Sequence, residues 1–253
     1  MAATPQERRP VKILSYNLRH HRAAEEISAL AADHAVDVLC VQEAHAAELP
    51  SRAAGLELSA TTSTGLLGLG IYVDPARFAV TASRAFHLKR GLHDVAFLPG
   101  TERLLAVRLV DRRTGERATV ASFHAVPLTA TNVLRRHQVS SAHMLLDDLG
   151  EGEPVLMVGD FNYPLFRSGL ARRSERDGYA LSVSDAPTFH HLGAIATHFD
   201  LLTSRGWRID SVRTLPSGAS DHRPILVDAV VGAAAVPRDE RVGAVVSEAG
   251  VGR

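Results

Sequence analysis

Residues 154–162 read PVLMVGDFN, and the fold hangs on how that stretch is understood. Pro154 to Val158 is an unbroken apolar run, the pattern of a strand buried on both faces. It leads into Gly159, a residue that lets the chain turn sharply after the strand. Asp160 and Asn162 then lie two positions apart and can face the same side. A carboxylate and a carboxamide aimed at one point suit a water nucleophile: the acid orients or deprotonates it, and the amide holds a phosphoryl oxygen. Both residues are also common turn formers, so the segment alone reads equally as a strand-to-turn junction.

Other strand ends repeat the arrangement. Ser220-Asp221-His222-Arg223-Pro224 precedes an apolar run from Ile225 to Val231, and its adjacent acid and imidazole share a site only in a tight turn, which Pro224 favours. Asn17 ends a short strand pattern from Lys12, and Glu43 follows the apolar run Asp37 to Val41. Each is an ordinary surface residue when taken singly. Strand ends of one sheet converge in space, however, so four ends carrying acids or amides point to a shared site.

Between these points, Ala23 to His34 has helical spacing at Ile27, Leu30 and Ala31. Strands are predicted at Leu56 to Thr62, Leu69 to Val73, Phe78 to Phe86, Leu104 to Asp111 and Arg117 to Phe123, the last two joined as a hairpin by Arg112 to Glu116. Thr129 to Leu149 reads as a helix with Val133, Val139, Met144, Leu145 and Leu149 on its apolar side, stopped by Gly150. An arginine-rich loop follows Asn162, then strands at Tyr179 to Val183, Phe199 to Thr203 and Trp207 to Arg213. Many strands and few helices suggest two packed sheets with helices outside. One domain is expected over residues 11–231, with a flexible N-terminus at 1–10 and a disordered or loosely attached tail at 232–253.

The 253 residues are 45% hydrophobic and 22% charged, with 28 basic against 28 acidic side chains, so no global field draws the protein to nucleic acid or anionic membrane. The single cysteine, Cys40, lies in an apolar run and reads as a buried hydrophobe; it excludes an internal disulfide and a multi-cysteine zinc site. Neither a signal peptide nor a membrane span is apparent, so a cytoplasmic monomer is the default expectation. His20 and His21, and likewise His190 and His191, fit either a cleft rim or exposed loops.

The chain resembles the endonuclease/exonuclease/phosphatase superfamily, which includes pancreatic-type deoxyribonuclease, exonuclease III-type repair enzymes, inositol-polyphosphate phosphatases and bacterial sphingomyelinases. Ser15-Tyr16-Asn17, Val41-Gln42-Glu43, Ser122-Phe123-His124, Gly159 to Asn162, Phe199-Asp200-Leu201-Leu202 and Ser220 to Pro224 match in family order. The resemblance implies an α/β fold, a four-layer α/β/β/α sandwich of two packed mixed sheets flanked by helices. It implies a magnesium-dependent hydrolase of phosphate esters, with manganese as a substitute ion. Glu43, Asn17 and Asp221 would hold the metal. His222, held in its tautomer by Asp200, would sit next to the scissile phosphate, and Asp160 and Asn162 would position the attacking water. His124 would contact a phosphoryl oxygen, and the proton is assigned jointly to His222 and Asp160.

Nucleic acid, DNA or RNA, is the leading substrate class within that resemblance. The stretch from Asn162 to Asp200 is short, and His124 stands where repair enzymes carry tyrosine, which disfavours an abasic-site enzyme. Lysine occurs only at Lys12 and Lys89, too few for an inositol-phosphate pocket of the usual kind. The alternatives are a phosphatase or phosphodiesterase of a small-molecule or lipid-headgroup phosphate, and a catalytically silent binding module. Two basic stretches, Arg84 to His93 and Arg167 to Arg176, read as solvated loops that would track a nucleic-acid backbone if they flanked the cleft.

Overall fold

The computed structural model describes residues 9–62, 67–90, 102–163, 165, 167–191 and 195–232. The expected tail beyond 232, the first eight residues and His93 lie outside them, as do the side chains of His190 and His191.

The strands in chain order are β1 (Val11–Asn17), β2 (Val38–Ala44), β3 (Arg52–Ala53), β4 (Leu56–Thr61), β5 (Gly68–Val73), β6 (Phe78–His87), β7 (Glu102–Asp111), β8 (Arg117–His124) and β9 (Val155–Asp160). They continue with β10 (Ala180–Val183), β11 (Phe189–His191), β12 (Ile195–Thr197), β13 (Asp200–Arg205), β14 (Trp207–Thr214) and β15 (Ile225–Val231). The α-helices are α1 (Ile27–Asp33), α2 (Asn132–Gly150) and α3 (Arg167–Arg176).

Two mixed sheets form the body. One has seven strands in the order β14-β15-β1-β2-β5-β4-β3, and the other has six in the order β10-β13-β9-β8-β7-β6. Each contains a single parallel pair, β1 with β2 and β8 with β9, and each pair is joined through a helix, α1 and α2 respectively. These crossover units stack across the interface, where β2 meets β8 and β9. Ile13, Val38, Cys40, Leu105, Val120, Leu156, Val158, Leu202 and Val227 fill the layer between the sheets. Alternate residues face outward: Leu14, Tyr16 and Leu39 pack with Ile27 and Ala31 of α1, while Ala121, Phe123 and Met157 pack with Val139 and Leu146 of α2 and Leu170 of α3. The result is the four-layer α/β/β/α sandwich. No helix among the described residues is long and apolar enough to cross a membrane.

The inner layer changes character along its length. Toward the C-terminal ends of the parallel pairs, apolar contacts give way to Ser15, Gln42 and Ser122, all buried, with Gln42 Nε2 donating to Ser122 Oγ across the sheets at 2.9 Å. One pleat further on, the inward positions are Asn17, His124 and Asp160. Period-two alternation alone carries the core into a polar end.

Several expectations need correction. Gly159 is not a turn: it lies inside β9 opposite Phe123, with φ 149, and an added Cβ would come within 2.0 Å of the Phe123 carbonyl oxygen. Glycine is required there by the close approach of β8. The turn falls at Asn162, φ 47. Residues 23–34 divide into a 3-10 turn at Ala24–Glu26 and the shorter α1. The arginine-rich loop contains α3, whose Leu170 and Ser174 are buried while Arg172, Arg173 and Arg176 are exposed. In α2 the expected apolar side holds at Val139, Leu145 and Leu149, which pack on the core, but fails at Val133 and Met144, which are 67% and 62% exposed. Its buried side carries Arg135, Gln138, Ser140 and His143 beside Val139, Ala142 and Leu146. That helix starts with Thr131 Oγ1 accepting from Leu134 N and ends on Glu151 in the left-handed region, φ 51; Gly150 is its last residue.

Candidate active site

Asp160 is the hub of the polar end. It closes β9, with His124 opposite it on β8 and Asp200 opposite it on β13, so three side chains stand in a row on one sheet. Asp160 Oδ2 accepts from Asn17 Nδ2 at 3.1 Å and from Asn162 Nδ2 at 3.2 Å, and it lies 3.7 Å from His124 Nε2 and from His222 Nε2. Asn162 also donates its backbone N–H to Asp160 Oδ1 at 2.8 Å, which follows from its left-handed turn.

The facing sheet contributes Asn17 and Glu43. Strand alternation would put Gln42 inward and Glu43 outward. The β2–β5 register slips by one residue between Val41 and Ala44, and Glu43 takes φ 52, a β-bulge that swings its carboxylate into the cleft. There Glu43 Oε1 accepts from Asn17 Nδ2 at 3.3 Å and lies 3.7 Å from His124 Nε2. A left-handed segment on the same side follows β1, with φ 48, 54 and 70 at Arg19, His20 and His21. Such geometry costs about 1–2 kcal/mol per non-glycine residue. Bonds to Glu43 hold it: His21 N to Glu43 O at 2.8 Å and His20 N to Glu43 Oε2 at 3.1 Å.

Asp221 and His222 do share a tight turn. Ser220 Oγ donates to Asn17 O at 2.7 Å and accepts from His222 N at 3.1 Å, tying the turn to the end of β1. His222 Nδ1 meets Asp200 Oδ2 at 2.8 Å, with the rings of Phe189 and Phe199 beside the imidazole at 5.0 and 6.0 Å. Asp221 is part-exposed and 3.5 Å from Arg19 Nε.

A cleft of about 600 Å³ opens over this cluster, lined by Glu43, His124, Asp160, Asn162, Asp221 and His222. Asn17 and Asp200 lie just behind, bonded to lining residues. Among the described residues neither basic stretch borders it: its cations there are Arg19, Arg22 and Arg103, with His20 beside them. A separate hollow of about 430 Å³ at the other end of the sandwich, lined by Arg9, Arg77, Arg112 and Arg113, holds none of the predicted site residues.

Charge is out of balance in the cluster. Burial, reinforced by the negative charges of Asp200 and Glu43, pushes the Asp160 carboxyl up to about 7 against the opposing pull of His222. Burial pulls His222 down most strongly as a single influence, yet the charges of Asp200 and Asp160 and the Asp200 hydrogen bond outweigh it and push the imidazole up to about 10. Burial raises Glu43, but His124, His20 and the Asn17 amide hold it below the usual carboxylate range. Asp200 Oδ1 is buried with no hydrogen-bond partner among the described residues.

This donor set fits a divalent cation. Oxygens of Glu43 and Asp160 and a nitrogen of His124 lie within 4.8 Å of one another, and the crowding that lifts Asp160 is what a cation relieves. The grouping adds His124 and Asp160, expected at the phosphoryl oxygen and the water, to Glu43 on its cleft side.

Sequence reading missed the residues that hold the site. Thr188 Oγ1 accepts from both Phe199 N and Asp200 N at 3.1 Å, and Thr188 O accepts from Arg223 N at 2.6 Å. Arg103 donates to the carbonyls of His124 and Ala125 at 3.1 and 3.0 Å; Arg135, 2% exposed, donates to those of Val126 and Pro127. Gln138 Oε1 accepts from Val126 N at 2.9 Å. Arg135 and Gln138 share a helical stripe with Val139, Ala142 and Leu146, so polar residues at core spacing were their signal. Thr188 carries none.

A two-sheet sandwich with acids, amides and imidazoles gathered between its sheet ends defines the class. The chain belongs to the Endonuclease/Exonuclease/phosphatase family, whose model matches residues 14–222. Solved structures of similar fold include an endonuclease/exonuclease/phosphatase from Bacteroides vulgatus, with TM-score 0.69 and 16% identity over 88% of this chain and 99% of that one. A mannosyl-6-phosphatase from Bacteroides thetaiotaomicron has TM-score 0.71 and 15% identity over 87% and 99%. D. rerio TDP2 complexed with single-strand DNA product has TM-score 0.69 and 16% identity over 87% and 99%. No curated protein matches the chain.

Proposed function

We propose that this protein is a divalent-cation-dependent hydrolase of phosphate esters, with nucleic acid as its leading substrate class and residues 11–231 as the unit that carries the activity. The observation that carries the reading is the Asp200–His222 pair at 2.8 Å, with His222 Nε2 turned to Asp160 across the cleft. Glu43, Asn17 and Asp221 are the proposed metal ligands, with His124 and Asp160 close enough to complete the set; the oxygen donors favour magnesium, with manganese as a substitute. When bound, the cation supplies charge stabilisation at the phosphoryl and leaving oxygens.

The remaining chemistry belongs to the side chains. Asp160, held by the Asn17 and Asn162 amides and 3.7 Å from His222 Nε2, orients the attacking water and takes its proton as the water oxygen bonds to phosphorus. His222, cationic at neutral pH, keeps its proton and donates an N–H to a phosphoryl oxygen while the ester P–O bond breaks. Asn162 and His124 steady the other oxygens, and solvent protonates the leaving group. This divides between Asp160 and His222 the proton role that sequence reading left joint.

The test is a substrate panel with magnesium or manganese: single- and double-stranded DNA, RNA, bis-p-nitrophenyl phosphate and inositol phosphates. Hydrolysis of nucleic acid and of the diester is expected, with His222→Ala lowering kcat/KM by about 10²- to 10³-fold. Turnover of monoesters alone selects the small-molecule phosphatase alternative, for which the mannosyl-6-phosphatase of similar fold is a precedent. A wild-type protein inert toward the whole panel overturns the hydrolase reading and leaves a silent binding module.

A further inference from the structure

Arg19, His20 and Arg22, from one stretch of chain, give the cleft a cationic wall, and the apolar Leu67, Pro127 and Leu128 also line it. The cationic wall is built on the left-handed segment 19–21 and pinned to residues that gather the carboxylates: Arg19 N donates to Asn17 Oδ1 at 2.9 Å, and His20 N to Glu43 Oε2 at 3.1 Å. Its place relative to the reacting centre is therefore set by the centre itself. Arg19 leans on Asp221 through Nε at 3.5 Å. The Arg22 side chain is exposed and makes no hydrogen bond or ion pair among the described residues, its backbone N–H alone donating to Arg19 O at 3.3 Å.

His222, His124 and Asn162 already face the position of the reacting phosphate. Arg22 and the terminal nitrogens of Arg19 are left over, and a guanidinium is a planar fork matched to a pair of phosphoryl oxygens. A cleft of about 600 Å³ exceeds the needs of one phosphate group. We infer that Arg22, together with Arg19, reads a second phosphate next to the one that is hydrolysed, so that substrates carrying two phosphates in succession are favoured over esters carrying one. This inference rests on the proposed phosphoesterase reading.

Wild type, Arg22→Gln and Arg22→Lys are compared with magnesium on bis-p-nitrophenyl phosphate, which has one anion, on the 5'-phosphorylated thymidine dinucleotide pTpT and on ADP. Arg22→Gln is expected to raise KM for a two-phosphate substrate about tenfold or more beyond its effect on the single-anion ester, with kcat far less affected and Arg22→Lys recovering part. A selective loss on pTpT assigns the second phosphate to a nucleic-acid strand, and one on ADP to a small diphosphate. An equal effect on all three substrates overturns the inference. Should wild type hydrolyse none of them, the phosphoesterase reading fails by itself, and binding of pTpT and ADP to the metal-free proteins decides this one: at least tenfold weakening in Arg22→Gln sustains it, and equal affinity ends it.

Discussion

His222 is a buried imidazole that keeps its proton. Burial alone would make it neutral, but Asp200 at 2.8 Å and Asp160 at 3.7 Å place two carboxylates against it, and the imidazole is pushed up to about 10. Because its folded value lies above the ordinary 6.5, its contribution to stability is full below pH 6.5 and is lost as pH rises through about 10. Titrating the imidazole of metal-free protein by NMR should place its midpoint near 10, and Asp200→Asn should bring it down toward the ordinary range. A wild-type midpoint at or below 6.5 would mean that burial wins, removing His222 as the proposed cationic partner of the phosphate. At this scale the sequence was informative about identity and silent about aim. Asp160 and Asn162 could be paired from their spacing, whereas Glu43 reaches the cleft only through a one-residue bulge that no local pattern announces.

Elements hold the pair together through Thr188, which precedes β11. Its hydroxyl accepts the two N–H groups that open β13, its carbonyl accepts Arg223 N, and Phe189 next to it bridges His222. Thr188→Val keeps the shape and deletes the acceptor, leaving two buried N–H groups unpaired at a cost of about 1–3 kcal/mol each. The expected result is a lower melting temperature, a reduced kcat with KM little changed, and a His222 midpoint moved toward 6.5, with Thr188→Ser restoring all three. Wild-type kcat together with an unmoved His222 titration would reduce Thr188 to a packing residue. Element types were legible wherever burial followed apolar character, as in β1, β2, β8, β9 and β15. They were misread where it did not: α2 buries Arg135, Gln138 and His143 because their partners, the Val126 and Pro127 carbonyls, the Val126 N–H, Asp177 and Thr203, all lie off the helix. The helix α3 was hidden by its arginines, since only Leu170 and Ser174 are buried.

The whole molecule has the candidate site at one end of the sandwich and a latch at the other. Arg77 there donates to Asp37 Oδ2 at 2.7 Å, at the start of β2 in one sheet, and to Asp111 Oδ2 at 3.2 Å, at the end of β7 in the other. It also donates to the carbonyls of Arg9 and Pro10 at 2.9 Å each, so the chain just before β1 is tied down although sequence reading grouped both residues with a flexible terminus. Burial pushes Asp111 up most strongly, but the backbone amides of Arg113 and Thr114 and the Arg77 guanidinium hold it below its ordinary value. Removing the cation leaves Asp111 with backbone amides and Asp37 with the Lys12 N–H and the exposed Arg9, so two largely buried carboxylates lose their buried partner, a loss of up to about 3–5 kcal/mol. For a domain of this size that is roughly 6–20 °C of melting temperature. Arg77→Met should show that drop, and adding Asp37→Asn should recover part of it by removing one stranded charge. The latch lies far from the cleft and touches none of its residues, so kcat measured where the variant is still folded should stay within about twofold of wild type, as expected for separated sites. An unchanged melting temperature would show that the inter-sheet core alone holds the layers in register. A kcat falling in step with stability would show instead that the spacing of the sheets at the latch sets the spacing of Glu43 and Asp160 at the cleft.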